Sequence, residues 1–333
     1  MRRRLIRILL CLLLLPPILA GVAGWLVTPA YLHPIRRTLT PELIREADAS
    51  FAQLGALRQD FDVRAADGVL LRGWMVTAKS PNHNWVLLFH GVADNRVGVL
   101  GPAEFLLRAG YNVIMMDSRA HGASEGPVAT YGWLERNDTR AVVDALLAEE
   151  QNRGISVQRT ALGAPGSLLD ARPPVRIFAL GESMGAGIAL QSAAADPRIE
   201  AVVAEASFAN LREACYDYAG LRWSPLLGKT FFRPFTWTLL YRGAKLTGFA
   251  LTDVSPQKAV ASRAFPVLLI CDENDVALPC RHTQRIFAAA VGPKQFWEVP
   301  GAWHTAGLGV RPAEFQKRVL EFFANAADKP RVQ

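Results

Sequence analysis

The first 37 residues contain no aspartate or glutamate, and that absence explains most of the chain's basic character. The formal net charge is +7 over 333 residues, and this stretch holds six arginines: Arg2, Arg3, Arg4, Arg7, Arg36 and Arg37. The remainder is close to neutral, so the basic balance gives no support for a nucleic-acid partner. Cysteine is scarce too. Cys11, Cys215, Cys271 and Cys280 are too few for a disulfide scaffold. The chain has no dinucleotide fingerprint, no phosphate-binding loop and no Cys/His pairs at zinc spacing, so the sequence implies no cofactor and no metal. It also lacks internal repeats and low-complexity segments. What it has is apolar mass: 50% of residues are hydrophobic, enough to bury the core of one α/β domain of about 250 residues with extras.

The N-terminus reads as an address. Arginines precede an apolar stretch from Leu5 to Val27, interrupted by Arg7 and by Pro16 and Pro17. About 20 residues at a helical rise of about 1.5 Å cross roughly 30 Å of hydrocarbon. Basic residues before the span favour a cytoplasmic N-terminus, which places the rest of the chain on the periplasmic or extracellular side. The alternative is a signal peptide cleaved near the small residues Ala20 to Gly24, giving a secreted protein. The expected organisation is a transmembrane signal anchor over 1–30, a stalk with a docking helix over 31–58, and a main domain over 59–327. Pro29, Pro34 and Pro41 punctuate the stalk, and Glu42 to Leu57 has helical apolar spacing.

Beyond that point strands and helices alternate. Phe61 to Arg64 and Leu70 to Val76 flank Asp67-Gly68 and predict a hairpin. Trp85–Phe89, Tyr111–Met116, Val175–Leu180, Ile199–Ala204, Val267–Ile270 and Gln295–Val299 read as buried strands. Helices are expected over Val97–Ala109, Leu134–Glu150, from Ala186 onward, and over Arg311–Ala326. Residues 151–174 read as a Gly/Pro-rich surface insertion. The stretch 208–250 far exceeds a simple βαβ connection and carries Phe231, Phe232 and Trp237, which suggests a helical cap. The predicted fold is α/β, a doubly wound, mostly parallel sheet with a helical cap insertion and an N-terminal transmembrane helix.

One turn carries the chemistry. Gly181-Glu182-Ser183-Met184-Gly185 lies between a strand and a helix. A sharp turn there places the serine in strained geometry and leaves no room for side chains two residues to either side. A serine hydroxyl needs a base, the base needs a carboxylate to fix its tautomer, and the oxyanion needs donors. Asp275, before Val276-Ala277-Leu278-Pro279, and His304, just after the last strand, supply acid and base in chain order. Asp272 is the weaker candidate for the acid, and it and Glu273 otherwise read as a solvated loop. The backbone N–H groups of Val92, after His90-Gly91, and of Met184 are the expected oxyanion donors. His90 reads as holding its loop, His33 as part of the stalk, His83 as part of a polar turn and His282 as a helix start.

On these residues, together with Asp117-Ser118-Arg119-Ala120-His121-Gly122-Ala123-Ser124-Glu125-Gly126, the chain resembles the α/β-hydrolase superfamily. The resemblance is to its serine aminopeptidase-like branch, which includes membrane-anchored members, and it runs from about Asp60 to Ala324. It implies a Ser183–Asp275–His304 triad and a structural role for the 117–126 loop. The expected activity is hydrolysis of an ester or thioester of an apolar acyl or lipid substrate through an acyl-enzyme, with residues 208–250 suspected to bind it. An aminopeptidase-like amide hydrolase is the alternative, and a non-catalytic binding protein on the same fold is the third reading. In an exported domain Cys271 and Cys280 could bridge and clamp the acid loop; two free thiols is the other possibility.

Overall fold

A computed structural model describes residues 2–161, 175–220 and 224–328. The order of elements is α1 (Arg2–Leu32), α2 (Pro41–Leu54), β1 (Leu57–Asp60), β2 (Val63–Arg64), β3 (Leu70–Leu71), β4 (Gly73–Thr77), β5 (Asn84–Phe89), α3 (Leu100–Arg108), β6 (Asn112–Met116) and α4 (Glu135–Ala161). Next come β7 (Arg176–Glu182), α5 (Met184–Ala195), β8 (Ile199–Glu205), α6 (Leu211–Ala219), α7 (Pro225–Lys229), α8 (Arg233–Thr247), α9 (Pro256–Ser262), β9 (Val267–Asp272), α10 (Arg281–Ala289), β10 (Lys294–Val299), α11 (Gly307–Val310) and α12 (Pro312–Ala327).

The main sheet has the order β1-β4-β6-β5-β7-β8-β9-β10. Pairing is antiparallel at β1–β4 and β4–β6 and parallel from β6 onward. Strand β5 shows why its run is apolar throughout. Val86 and Leu88 pack with α2, α3 and α12 on one face, while Trp85, Leu87 and Phe89 pack with α4, α5, α9 and α10 on the other. Helices on both faces leave no side of the strand to water, so the period-2 polar alternation disappears.

Several expected boundaries move. Leu57–Asp60 is a sheet strand, because the helix stops at Gly55, whose φ of +64° forms a left-handed cap. The hairpin is only β2–β3; the residues after Leu71 swing into the main sheet as β4. The expected insertion at 151 begins as helix instead, since α4 continues to Ala161; its remainder, 162–174, lies outside the described residues. The segment after α1 is no free stalk. Leu32 and Tyr31 carbonyls accept from Ala129 N–H and Tyr131 O–H at 2.8 Å each, and Arg36 donates to the carbonyls of Ser124 and Gly126.

Between β8 and β9 the chain leaves the sheet through α6, α7 and α8. A third apolar cluster forms there, in which Leu32 of α1 meets Leu211 and Cys215 of α6 and Leu239 and Leu240 of α8.

Candidate active site

Strand β7 hands over to α5 at Ser183, whose φ of +53° and ψ of −118° no ordinary L-residue turn adopts. The flanking glycines make this possible. A Cβ on Gly181 would stand 2.3 Å from the Gly185 carbonyl oxygen, and one on Gly185 would stand 2.2 Å from that of Phe89. Ser183 N–H donates to the Glu205 carbonyl at 2.9 Å, tying the turn to the neighbouring strand.

His304 comes just after β10, and its Nε2 lies 2.9 Å from Ser183 Oγ. Its Nδ1 lies 2.6 Å from Asp275 Oδ2. Both contacts are hydrogen bonds when Nδ1–H donates to the carboxylate and Ser183 O–H donates to Nε2, the tautomer the network selects. Asp275 Oδ1 accepts from Ala277 N–H at 2.7 Å and Leu278 N–H at 2.9 Å. Burial alone would raise this carboxyl, but the His304 hydrogen bond and charge, with those two N–H groups, hold it below its ordinary value. Ser183, His304 and Asp275, far apart in sequence, therefore form one hydrogen-bonded chain.

Asp272 is not part of a solvated loop. It is 1% exposed and its Oδ2 accepts from Thr305 N–H at 2.8 Å, directly after His304. Glu273 remains exposed and accepts from Gly301 N–H at 2.7 Å. Beneath the His304 loop three strand ends each bring a carboxyl: Glu182 from β7, Glu205 from β8 and Asp272 from β9. Glu205 Oε1 accepts from Gly307 N–H at 2.9 Å. Among the described residues, buried Asp272 Oδ1 meets no N–H donor, and the Glu205 carboxyl is the side chain that hydrogen-bonds with Asp272. Burial, then the Asp272 and Glu182 charges, raise Glu205 well above the ordinary carboxyl value, so it is the neutral partner that donates. Burial likewise pushes Asp272 up to about 6 and Glu182 up to about 7. Glu205 and Glu182 are absent from the sequence-based site; a carboxylate closing an apolar strand is the signal that could have found them.

His90 is fully buried. Its Nδ1–H donates to the Gly91 carbonyl at 2.7 Å and its Nε2 accepts from Ser118 N–H at 3.0 Å. Burial depresses its pKa, so it is a neutral brace for the loop before Val92. The 117–126 loop is braced as well. Asp117 accepts from Arg96 and from Ala123 N–H, and Arg119 pairs with Asp138. His282 lies under α6 with its Nε2 2.6 Å from Asp217, away from Ser183's hydrogen-bonded chain. Cys271 and Cys280 are joined in a disulfide with Cα atoms 5.3 Å apart, closing the loop that carries Asp272 and Asp275.

A cavity of about 390 Å³ opens beside Ser183. Val92 and Met184 line it, and Met184 begins α5, where backbone N–H groups have no intrahelical acceptor. One wall comes from α6 through Leu211, Cys215 and Tyr218. Another comes from the end of α1 and the segment after it: Tyr31, His33 and Ile35. His33 was expected in a stalk; no local pattern could show that this distant segment reaches the serine. None of the described residues lining the cavity is acidic. Such a site has a hydroxyl next to a base, a base held by a carboxylate, and an apolar chamber, the parts that acyl transfer to serine requires.

Fold and motif order define an α/β hydrolase, and the profile of the alpha/beta hydrolase family matches residues 86–317, so the chain belongs to that family. In sequence it is 28% identical over 280 residues to the uncharacterized protein YqkD of Bacillus subtilis (strain 168), covering 80% of each chain. It is also 28% identical over 248 residues to the uncharacterized protein Rv2307c of Mycobacterium tuberculosis (strain ATCC 25618 / H37Rv), covering 74% of this chain and 72% of the relative. Among solved structures the Pyrococcus furiosus esterase Pf2001 superposes with a TM-score of 0.61 at 24% identity, covering 83% of this chain and 95% of the esterase. A membrane phospholipase A superposes with a TM-score of 0.57 at 16% identity, covering 99% of this chain and 100% of its own. At these identities the structural likeness speaks for the fold.

Proposed function

We propose that the protein is a membrane-anchored serine hydrolase that cleaves a carboxylic ester or thioester of an apolar acyl substrate. The observation that carries this is the Ser183–His304–Asp275 hydrogen-bonded chain at the edge of an apolar cavity. Ser183 Oγ attacks the acyl carbon as His304 Nε2 takes its proton. Asp275 keeps the imidazole in the accepting tautomer and stabilises its charge once protonated. The N–H groups of Val92 and Met184 bind the oxyanion. His304 then returns the proton to the leaving group, and a water attacks the acyl-enzyme with His304 again as base.

The cavity's lining favours this over the aminopeptidase-like reading, because a substrate ammonium would need a carboxylate there. The membrane reading rests on α1, which is long and apolar enough to span a bilayer, a test that a signal sequence passes equally. The disulfide fits an oxidising compartment, and together with the leading arginines it supports a domain outside the cytoplasm. The named phospholipase and esterase neighbours are compatible with a lipid or acyl ester substrate.

Labelling with a fluorophosphonate probe tests the core of the reading. Wild type is expected to label and Ser183→Ala not to; equal labelling removes the nucleophile and with it the enzyme. A series of p-nitrophenyl esters of graded length, run beside aminoacyl amides, then ranks the substrate classes.

A further inference from the structure

The reaction leaves one surface without a use. Residues 224–249 contain Lys229, Arg233, Arg242 and Lys245 but no aspartate or glutamate. Along α8, Arg233, Trp237, Tyr241 and Lys245 recur at intervals of four and form one exposed stripe, with a base at each end and aromatics between. Trp237 and Tyr241 stack at 5.7 Å, and Trp237 is 65% exposed. The preceding turn and α7 add Leu226, 67% exposed, and Phe231, 42% exposed. In water this patch has no purpose, and large apolar patches rimmed by charge mark a partner.

What lies beside it identifies the partner. Helix α8 runs along α1 in the same direction. Thr238 Oγ1 donates to the Gly21 carbonyl at 2.7 Å, Arg242 donates to the Trp25 carbonyl and stacks on its ring, and Gly243 faces Thr28. The two backbones press together at Gly24, where a Cβ would stand 2.2 Å from the Phe235 carbonyl oxygen. Helix geometry then sets the depth. A span of about 20 residues counted from Leu5 closes near Gly24, and counted from Ile8 it closes near Val27, so Gly21 lies about 5 to 9 Å inside the hydrocarbon edge. The N-terminal end of α8, level with Gly21, therefore sits below the acyl–headgroup boundary by that depth, and the helix rises so that Arg242 and Lys245 stand nearer the headgroups. Helix α8 thus stands beside the span, with Trp237 and Tyr241 near the boundary, Arg242 and Lys245 toward phosphate, and Arg233 at the deeper end reaching back along its stem.

We propose that α7 and α8 form a membrane-docking face seated in the leaflet nearest the catalytic domain, and that its partner is a phospholipid surface bearing anionic headgroups. The face continues the surface of α1 and rests on the reading of α1 as a membrane span. It fixes the domain's tilt on the bilayer, so that the cavity walled by α6 and the end of α1 stands immediately over the lipid headgroups.

Depth measurement on the full-length protein in vesicles of phosphatidylcholine and phosphatidylglycerol tests this. In a Cys11→Ser background, spin labels are placed at Trp237→Cys, at Tyr241→Cys and, as a water-facing control, at Val291→Cys, which is 61% exposed in the wild type. Cys215 is buried, and burial pushes its thiol up to about 12, so it does not compete for label. Labels at 237 and 241 are expected to collide several-fold less than the control with a water-soluble nickel chelate and more with oxygen. The face does not dock if both match the control while the protein stays with the vesicles through alkaline extraction; that result overturns the proposal and leaves the anchor standing. Release of the protein by alkaline extraction overturns both.

Discussion

Ser183 holds its left-handed backbone because two glycines clear the space around it, and this makes the turn intolerant in a way ordinary glycine turns are not. Gly185→Ala would drive a methyl into the Phe89 carbonyl, so β5 or α5 must shift. Overpacking of this kind costs about 1–3 kcal/mol, and the shift also moves Met184 N–H. The expected result is a lower melting temperature together with loss of fluorophosphonate labelling. Glu205 gives a second test at this scale. Glu205→Gln can still donate to Asp272 and accept from Gly307, whereas Glu205→Leu orphans both at about 1–3 kcal/mol per group. The pH dependence has a definite sign. Native Glu205 keeps its proton above the ordinary value of 4.5, where the unfolded chain has released it, so wild-type stability falls as pH rises from there. Glu205→Gln has no proton to retain. Its melting temperature is expected to gain on wild type as pH rises above the ordinary carboxyl value of 4.5, measured by calorimetry; a constant difference would mean Glu205 is ionised in the fold.

Among the elements, the loop from β9 to α10 is the one most exposed to chemical control. It carries Asp275, which orients His304, and Asp272, which holds Thr305, and the Cys271–Cys280 bridge closes it. In the chain-entropy view a ring this short contributes about 2–3 kcal/mol. Reduction is therefore expected to lower the melting temperature and slow the labelling of Ser183 together, and the Cys271→Ala/Cys280→Ala double variant should show the same labelling rate with and without reductant. A reductant effect that persists in the double variant would place the sensitivity elsewhere.

For the whole molecule, the parts legible in the sequence were those governed by local rules. Buried parallel strands announce themselves as unbroken apolar runs, and the Gly181–Gly185 turn is dictated by backbone crowding within five residues. Asp275 and His304 were singled out because each follows a strand in a fixed chain order, and the fold brings both into one hydrogen-bonded chain with Ser183. What stayed hidden depends on contacts between distant segments. Leu57–Asp60 has no apolar alternation because it is an edge strand, largely exposed. Glu205 sits in a run that reads as core, and only the approach of Asp272 and Gly307 gives it a partner. His33 and Tyr31 looked like linker because nothing nearby in sequence records that they face Ser183.

The wall that the end of α1 lends to the cavity matters to anyone preparing this protein. An apolar N-terminal helix is commonly deleted so that the remainder can be purified. Here deletion of residues 1–37 would remove Tyr31, His33 and Ile35 from one side of the chamber and leave Leu211 and Tyr218 open to water. The shortened protein is expected to keep its reactivity toward small soluble esters and to lose its discrimination by chain length, as a p-nitrophenyl ester series on both forms would record. Ester preferences measured without residues 1–37 would describe a differently shaped chamber.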